Sequence, residues 1–193
     1  YPSLNIVSSS SSSSVVSVTG PVCQSVINNG QLGSDCKTYS TTYNTKASSL
    51  NISTNANLSG STVDTLGNNC PQCNAAYYDG SANISYGTTT LTNLNLHFNN
   101  SSQMNDGTTL NIDQNASFCD NGLTVSHAQI NVLNGGMLGC DYQTPDLTLN
   151  NNSALNASNG STIYSHELKI NQSSFTVTGP SSNVTVLDTL TVS

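Results

Sequence analysis

The side chains able to do chemistry in this 193-residue chain are few and widely spaced. Its six cysteines are Cys23, Cys36, Cys70, Cys73, Cys119 and Cys140. Cys70-Pro-Gln-Cys73 has the spacing of a redox dithiol. That chemistry needs a helix starting at the first cysteine to lower its pKa, and no helical periodicity surrounds it. No His follows Cys73, which excludes covalent haem attachment, and no second ligand pair stands nearby for zinc. The motif reads as a small disulfide-closed loop. An even cysteine count in a Lys-poor, Ser/Thr/Asn-rich chain reads as three disulfides formed in an oxidising compartment. Cys23–Cys36 would anchor the start of the domain. Cys119 and Cys140 are separated by about one coil of the repeat described below, a spacing that suits a staple between stacked coils.

The carboxylates fall mainly where turns are expected and read as turn formers. Asp120, Asp141 and Asp146 are the one group that suggests calcium, but the Gly-Asp repeat of a calcium-binding solenoid is missing. His97, His127 and His166 are isolated and read as surface or packing residues. Tyr77, Tyr78, Tyr86 and Tyr164 offer rings for a glycan-binding face or, more plainly, for packing. A sugar-cleaving solenoid needs clustered acids on one face. None is visible along the chain, nor is a nucleophile elbow or phosphate loop. The expectation is a protein that is not an enzyme and carries no cofactor or metal.

Only 7% of residues are charged, against roughly 25% in an ordinary domain, and the net charge is −7. The cations are Lys37, Lys46 and Lys169, with no Arg. Three lysines cannot neutralise a phosphate backbone, so nucleic acid is excluded as a partner. An anionic membrane surface would repel the chain, and no apolar run is long enough to span a bilayer. The scarcity of ionisable groups points to an acidic or otherwise harsh habitat. The chain opens on Tyr1 rather than Met, from which we expect a secretory leader already removed.

Something must place these residues, and the sequence repeats itself to do so. Leu50–Leu58 reads LNISTNANL, Leu96–Met104 LHFNNSSQM, Leu110–Phe118 LNIDQNASF and Leu147–Leu155 LTLNNNSAL. Leu123–Ile130 (LTVSHAQI) and Leu168–Phe175 (LKINQSSF) are copies one residue shorter. Leu-x-Ile is a short strand with alternate residues facing in. The Asn/Ser trio is an arc, because Asn tolerates left-handed backbone and bonds its own chain. The next apolar pair resumes a strand on another side. Gly60, Gly107, Gly122, Gly135 and Gly160 are expected to make the following corners. Third strands are expected at Thr162–Tyr164, Val184–Val186 and Met137–Leu138. Coils of about 21–27 residues then start at Leu96, Leu123, Leu147, Leu168 and Leu190. This is an all-β, parallel β-solenoid over residues 22–193, irregular or inserted near 60–90. A β-sandwich pilin-like domain completed by a donor strand is the alternative.

The first 21 residues differ. Seven serines, Ser8–Ser14, lie between two apolar runs that include Leu4, Ile6 and Val7, then Val15, Val16 and Val18. They read as an extended arm, either a flexible linker or a strand donated to a neighbouring subunit. At the other end, Leu190 and Val192 begin a coil, and a bare coil end exposes unpaired backbone and core. These eight residues are the expected subunit contacts. Asn-x-Ser/Thr acceptors occur at Asn51, Asn57, Asn83, Asn99, Asn100, Asn115, Asn151, Asn156, Asn159, Asn171 and Asn183. N-linked glycans are the modification they imply, although so Asn-rich a chain also produces such triplets for turns and stacked ladders.

The L-x-[IV]-x-x-x-[AS] coils over residues 50–193 resemble the right-handed β-helix of surface adhesins and autotransporter passengers. In composition and in its Ser-rich N-terminal segment the chain also resembles the thread-type extracellular filament subunits of thermoacidophilic archaea, where an N-terminal strand completes the next subunit. The resemblance implies a secreted structural subunit that polymerises head-to-tail with copies of itself at the cell surface. A monomeric adhesin or carbohydrate-binding module that meets glycans or other cells is the alternative.

Overall fold

A computed structural model of the protein describes residues 4–8, 15–19, 26–28, 45–47, 49–60, 75–140 and 144–193. The described residues form strands and turns without a helix. In chain order the strands are β1 (Leu4–Val7), β2 (Val15–Thr19), β3 (Val26–Asn28), β4 (Thr45–Ala47), β5 (Leu50–Ile52), β6 (Asn55–Ser59) and β7 (Ala75–Tyr78). There follow β8 (Ala82–Ile84), β9 (Thr88–Thr92), β10 (Asn95–Phe98), β11 (Ser102–Met104), β12 (Thr109–Asp113), β13 (Ser117–Cys119) and β14 (Gly122–Ser126). The last are β15 (Gln129–Val132), β16 (Met137–Leu138), β17 (Asp146–Asn150), β18 (Ala154–Ser158), β19 (Thr162–Ile170), β20 (Ser174–Thr178) and β21 (Asn183–Val192). Every strand pairing is parallel, and pairing partners lie about one coil apart through most of the chain. This is a β-solenoid, not the alternative sandwich.

Each coil carries three strands, one on each side. On the first side the in-register column runs Leu50, Ala82, then Ser102, Leu123, Leu147, Leu168 and Leu190. The second side stacks Leu110, Ile130, Leu155 and Phe175, and the third stacks Leu96, Phe118, Leu138, Ile163 and Val184. Leu96 therefore does not head the Leu123 column, as expected from the sequence. Its place there is taken by Ser102, which shortens that coil from 27 to 21 residues (123 − 102). The same nine-residue unit is used at three phases of the coil. It spans the first and second sides at Leu50, the third and first at Leu96, and the second and third at Leu110. Of the stretch read as irregular or inserted near 60–90, residues 61–74 lie outside the described residues, and β7, β8 and the start of β9 stack in register with their neighbours. Their inward residues are Ala76, Tyr78, Ala82 and Ile84, so the alternation persists without the leading Leu.

Inward residues stack coil over coil into one core, where the Tyr78 ring lies over that of Phe98, which also meets Phe118, with centroids 4.9 and 5.1 Å apart. Outward amides form ladders. Asn83 Nδ2 donates to Asn51 Oδ1 at 2.9 Å, and Asn51 Nδ2 to Asn5 Oδ1 at 2.9 Å. A second ladder climbs from Thr90 through Asn111 and Asn131 to Asn156. The corners are left-handed, as the Asn content predicts: Asn93, Gln114, Asn115, His127, Asn134, Asn151, Asn152 and Asn159 all have φ between 46° and 61°. Gly107, Gly135 and Gly160 share these corners, whereas Gly122 opens β14.

The segments read as an arm lie inside the stack. β1 pairs with β5 on one edge and β3 on the other, and β2 pairs with β6. Ile6 and Val16 are buried in the core. Docking in this structure is therefore within one chain.

Gly136 and Gly107 separate two costs. A Cβ on Gly136 would lie 2.2 Å from the Ile112 carbonyl oxygen, which belongs to the ladder, whereas one on Gly107 meets nothing within 4 Å. Gly107→Ala should cost only the left-handed penalty, about 1 kcal/mol, and Gly136→Ala about 3 kcal/mol or more. Thermal or denaturant unfolding of both variants checks this order.

Candidate functional site

The last coil presents the most distinctive surface. β21 pairs with β19 alone and β20 with β18 alone, so their outer edges have no strand partner among the described residues. The inward residues of this coil lie at the end of the core column. Phe175, Val184 and Val186 are half-buried against it, while Val177, Leu190 and Val192 are 42%, 57% and 70% exposed. Leu187 is 60% exposed at an irregularity between Ser165 and Glu167, where β21 carries an extra residue against β19. At the opposite end β2, β3 and β4 each have one strand partner among the described residues, and Val15 is 53% exposed. Among the expected contact residues, Leu190 and Val192 are thus open, Val7 is half-buried, and Ile6 and Val16 are core. Leu4 and Val18 pair as strand residues.

The expected Cys119–Cys140 staple is present, with Cα atoms 5.7 Å apart. Cys23, Cys36, Cys70 and Cys73 lie outside the described residues. His97 pairs in register with Cys119, and both are buried. Burial lowers the His97 imidazole to about 4, so it stays neutral.

Asp120 sits at the corner between β13 and β14 but turns inward rather than to solvent. It is fully buried, and neither carboxylate oxygen makes a hydrogen bond of good geometry. Burial pushes its carboxyl up to about 8, with the hydroxyl and backbone N–H of Ser102 pulling the other way. Asp146 instead faces solvent and accepts from His166 Nδ1 at 3.0 Å, and Asp141 lies outside the described residues. Of the three acids suggested for calcium, Asp120 is thus buried and Asp146 exposed.

Acids do gather elsewhere, which the sequence reading missed. His166, Glu167 and Asp188 bring their donor atoms within 4.8 Å of one another, and Lys169 Nζ sits 2.6 Å from Glu167 Oε2. Spacings of about one coil give the signal, but only once the register is known. The cluster is exposed and its charges are largely paired. His127, in a left-handed corner, is 3.8 Å from Asp106 and lines a shallow groove of about 260 Å³ with Gly107, Thr109, Gln129 and Asn152. Tyr78 is core, so the four tyrosines do not form a face; Tyr86 is exposed.

The sequons divide by structural role. Asn51, Asn83, Asn156 and Asn171 donate their Nδ2 to amide oxygens of the neighbouring coil. Asn57, Asn99, Asn100, Asn115, Asn151, Asn159 and Asn183 are exposed, mostly at corners. No protein family, curated protein or solved structure matches this chain.

Asp120 and His97 set a pH profile. A carboxyl raised above its unfolded value contributes stability that is complete below pH ~4 and lost as pH rises towards 8. A histidine lowered from 6.5 to about 4 contributes stability present above 6.5 and lost as pH falls to 4. The two slopes oppose each other between pH 4 and 6.5, and Asp120 acts alone above that. Unfolding free energy should be nearly flat from pH 4.5 to 6.5, then fall by about 2 kcal/mol by pH 8. Asp120→Asn should abolish the fall, as read by denaturant midpoints across that range.

Proposed function

We propose that this chain is a structural subunit of an extracellular, cell-surface filament, N-glycosylated and without catalysis, in which subunits stack head-to-tail. The observation that carries this reading is the surface of the coil formed by β20 and β21, where Leu190 and Val192 are exposed on core columns and the outer backbone edge has no strand partner among the described residues. Burying them against the first coil of a second copy would remove apolar surface from water and pair the edge. Because all pairing here is parallel, the two ends are complementary rather than identical. Such an interface is heterologous and does not close, so it propagates. The disulfide and the amide ladders suit a part that must resist unfolding rather than move. The low charge and the buried, neutral Asp120 suit an acidic setting.

The groove beside His127 supports a second reading, a monomeric adhesin or carbohydrate-binding module. Electron microscopy and sedimentation of the protein from its natural source separate the two. Fibres with an axial reflection near ~4.8 Å are expected, and Leu190→Lys with Val192→Lys should abolish them while leaving the strand signal in circular dichroism intact. Dispersed particles well above micromolar concentration would overturn the filament. Dispersed particles heavier than this chain would assign the bare edge to further coils of the same polypeptide. Glycopeptide mapping should find modification at Asn99, Asn100, Asn115, Asn151, Asn159 and Asn183, with the ladder residues Asn51, Asn83, Asn156 and Asn171 bare.

A further inference from the structure

His97 on β10, Cys119 on β13 and Cys140 just after β16 occupy successive coils of the third side. One nitrogen and two sulfurs lie within 4.8 Å of one another, in residues that are 6%, 0% and 4% exposed. Joined as a disulfide, the sulfurs are not metal ligands. We infer that when this disulfide is reduced, His97, Cys119 and Cys140 bind one thiophilic divalent cation of the zinc class, which staples the same coils in place of the S–S bond.

The donor set is what such an ion selects. Two thiolates and an imidazole are common zinc ligands and leave a fourth position for water or another donor. Around a tetrahedral ion with bonds of about 2.0–2.3 Å, donors sit about 3.5–4 Å apart, so the imidazole needs only a small shift and the sulfurs separate to take the ion. Charge favours the exchange. A dication with two thiolates and a neutral imidazole carries no net charge, the condition that a dry, buried site demands. A neutral imidazole presents the lone pair that the ion needs. The step balances as follows: a dithiol reductant gives two electrons and two protons to the S–S bond and itself becomes a disulfide. The cation then displaces one proton from each of the two thiols. The solenoid would thus hold these coils together before and after exposure to an oxidising compartment. This inference is independent of how subunits assemble.

The test uses the full chain produced in a reducing cytoplasm and kept in a phosphine reductant. Native mass spectrometry with added zinc should count one ion more on this chain than on the Cys119→Ser, Cys140→Ser double variant. The other four cysteines are common to both, so the difference isolates this cluster. With cobalt, the same difference should show a near-ultraviolet thiolate charge-transfer band and visible bands of tetrahedral intensity. His97→Ala should shift the visible bands and weaken cobalt binding by about tenfold or more. Cys140→Ser alone serves if the double variant loses its strand signal, and should lose the same ion. An equal ion count in the cysteine variants overturns the site, as does the same ion bound by the oxidised chain. Unchanged visible bands in His97→Ala remove the imidazole from it.

Discussion

Everything in this molecule depends on parallel strands stacked in register, one coil directly above the next. A parallel ladder fixes each residue over its counterpart about 4.8 Å away. Each inward column must then accept its own kind, and each outward column must tolerate like residues in contact. Charge cannot meet the second condition, because stacked like charges repel. Asn, Thr and Ser can, since an amide donates to the coil on one side and accepts from the coil on the other, as Asn111 and Asn131 do. The 7% charged content follows from this geometry. The same constraint accounts for the stacked rings of Tyr78 and Phe98 and for the chain of left-handed Asn corners.

The fold was legible because that constraint writes itself along the chain. Leu123, Leu147, Leu168 and Leu190 were placed in one column from spacing alone, and the third strands at Thr162, Val184 and Met137 lie where expected. The phase of each copy was not legible. A unit of two strands and an arc fits any two consecutive sides of a three-sided coil, and nothing local distinguishes them, so spacing alone puts Leu96 on the wrong side. The serine run hid a closer parallel. Leu4-Asn5-Ile6 and Leu50-Asn51-Ile52 share the same three residues and stack directly, with their asparagines hydrogen-bonded. β1 and β2 lie six residues further apart in sequence than β5 and β6, which disguised the likeness.

The sites were less legible than the fold, for a related reason. The Cys119–Cys140 pair was readable because its spacing is one coil. His97 beside it, and the Asp146, Glu167 and Asp188 group around His166, depend on register across coils of unequal length, which only the pairing reveals. The burial of Asp120 was out of reach because it follows β13 at a corner, where period-two alternation no longer says which way a side chain turns. The open last coil, with Leu190 and Val192 bare, follows from the register and from the lack of a strand beyond β21 among the described residues.

Chain order and spatial order disagree at the start of the solenoid. β3 follows β1 in sequence yet lies on its outer edge, so β1 is held between β3 and β5. Under tension, this early strand is clamped on both edges. A pull applied at Leu4 along the strand must shear two ladders together, whereas a pull on Val192 can unzip one. The described solenoid therefore has an early strand that a load must shear from two neighbours and a late strand that it need part from only one.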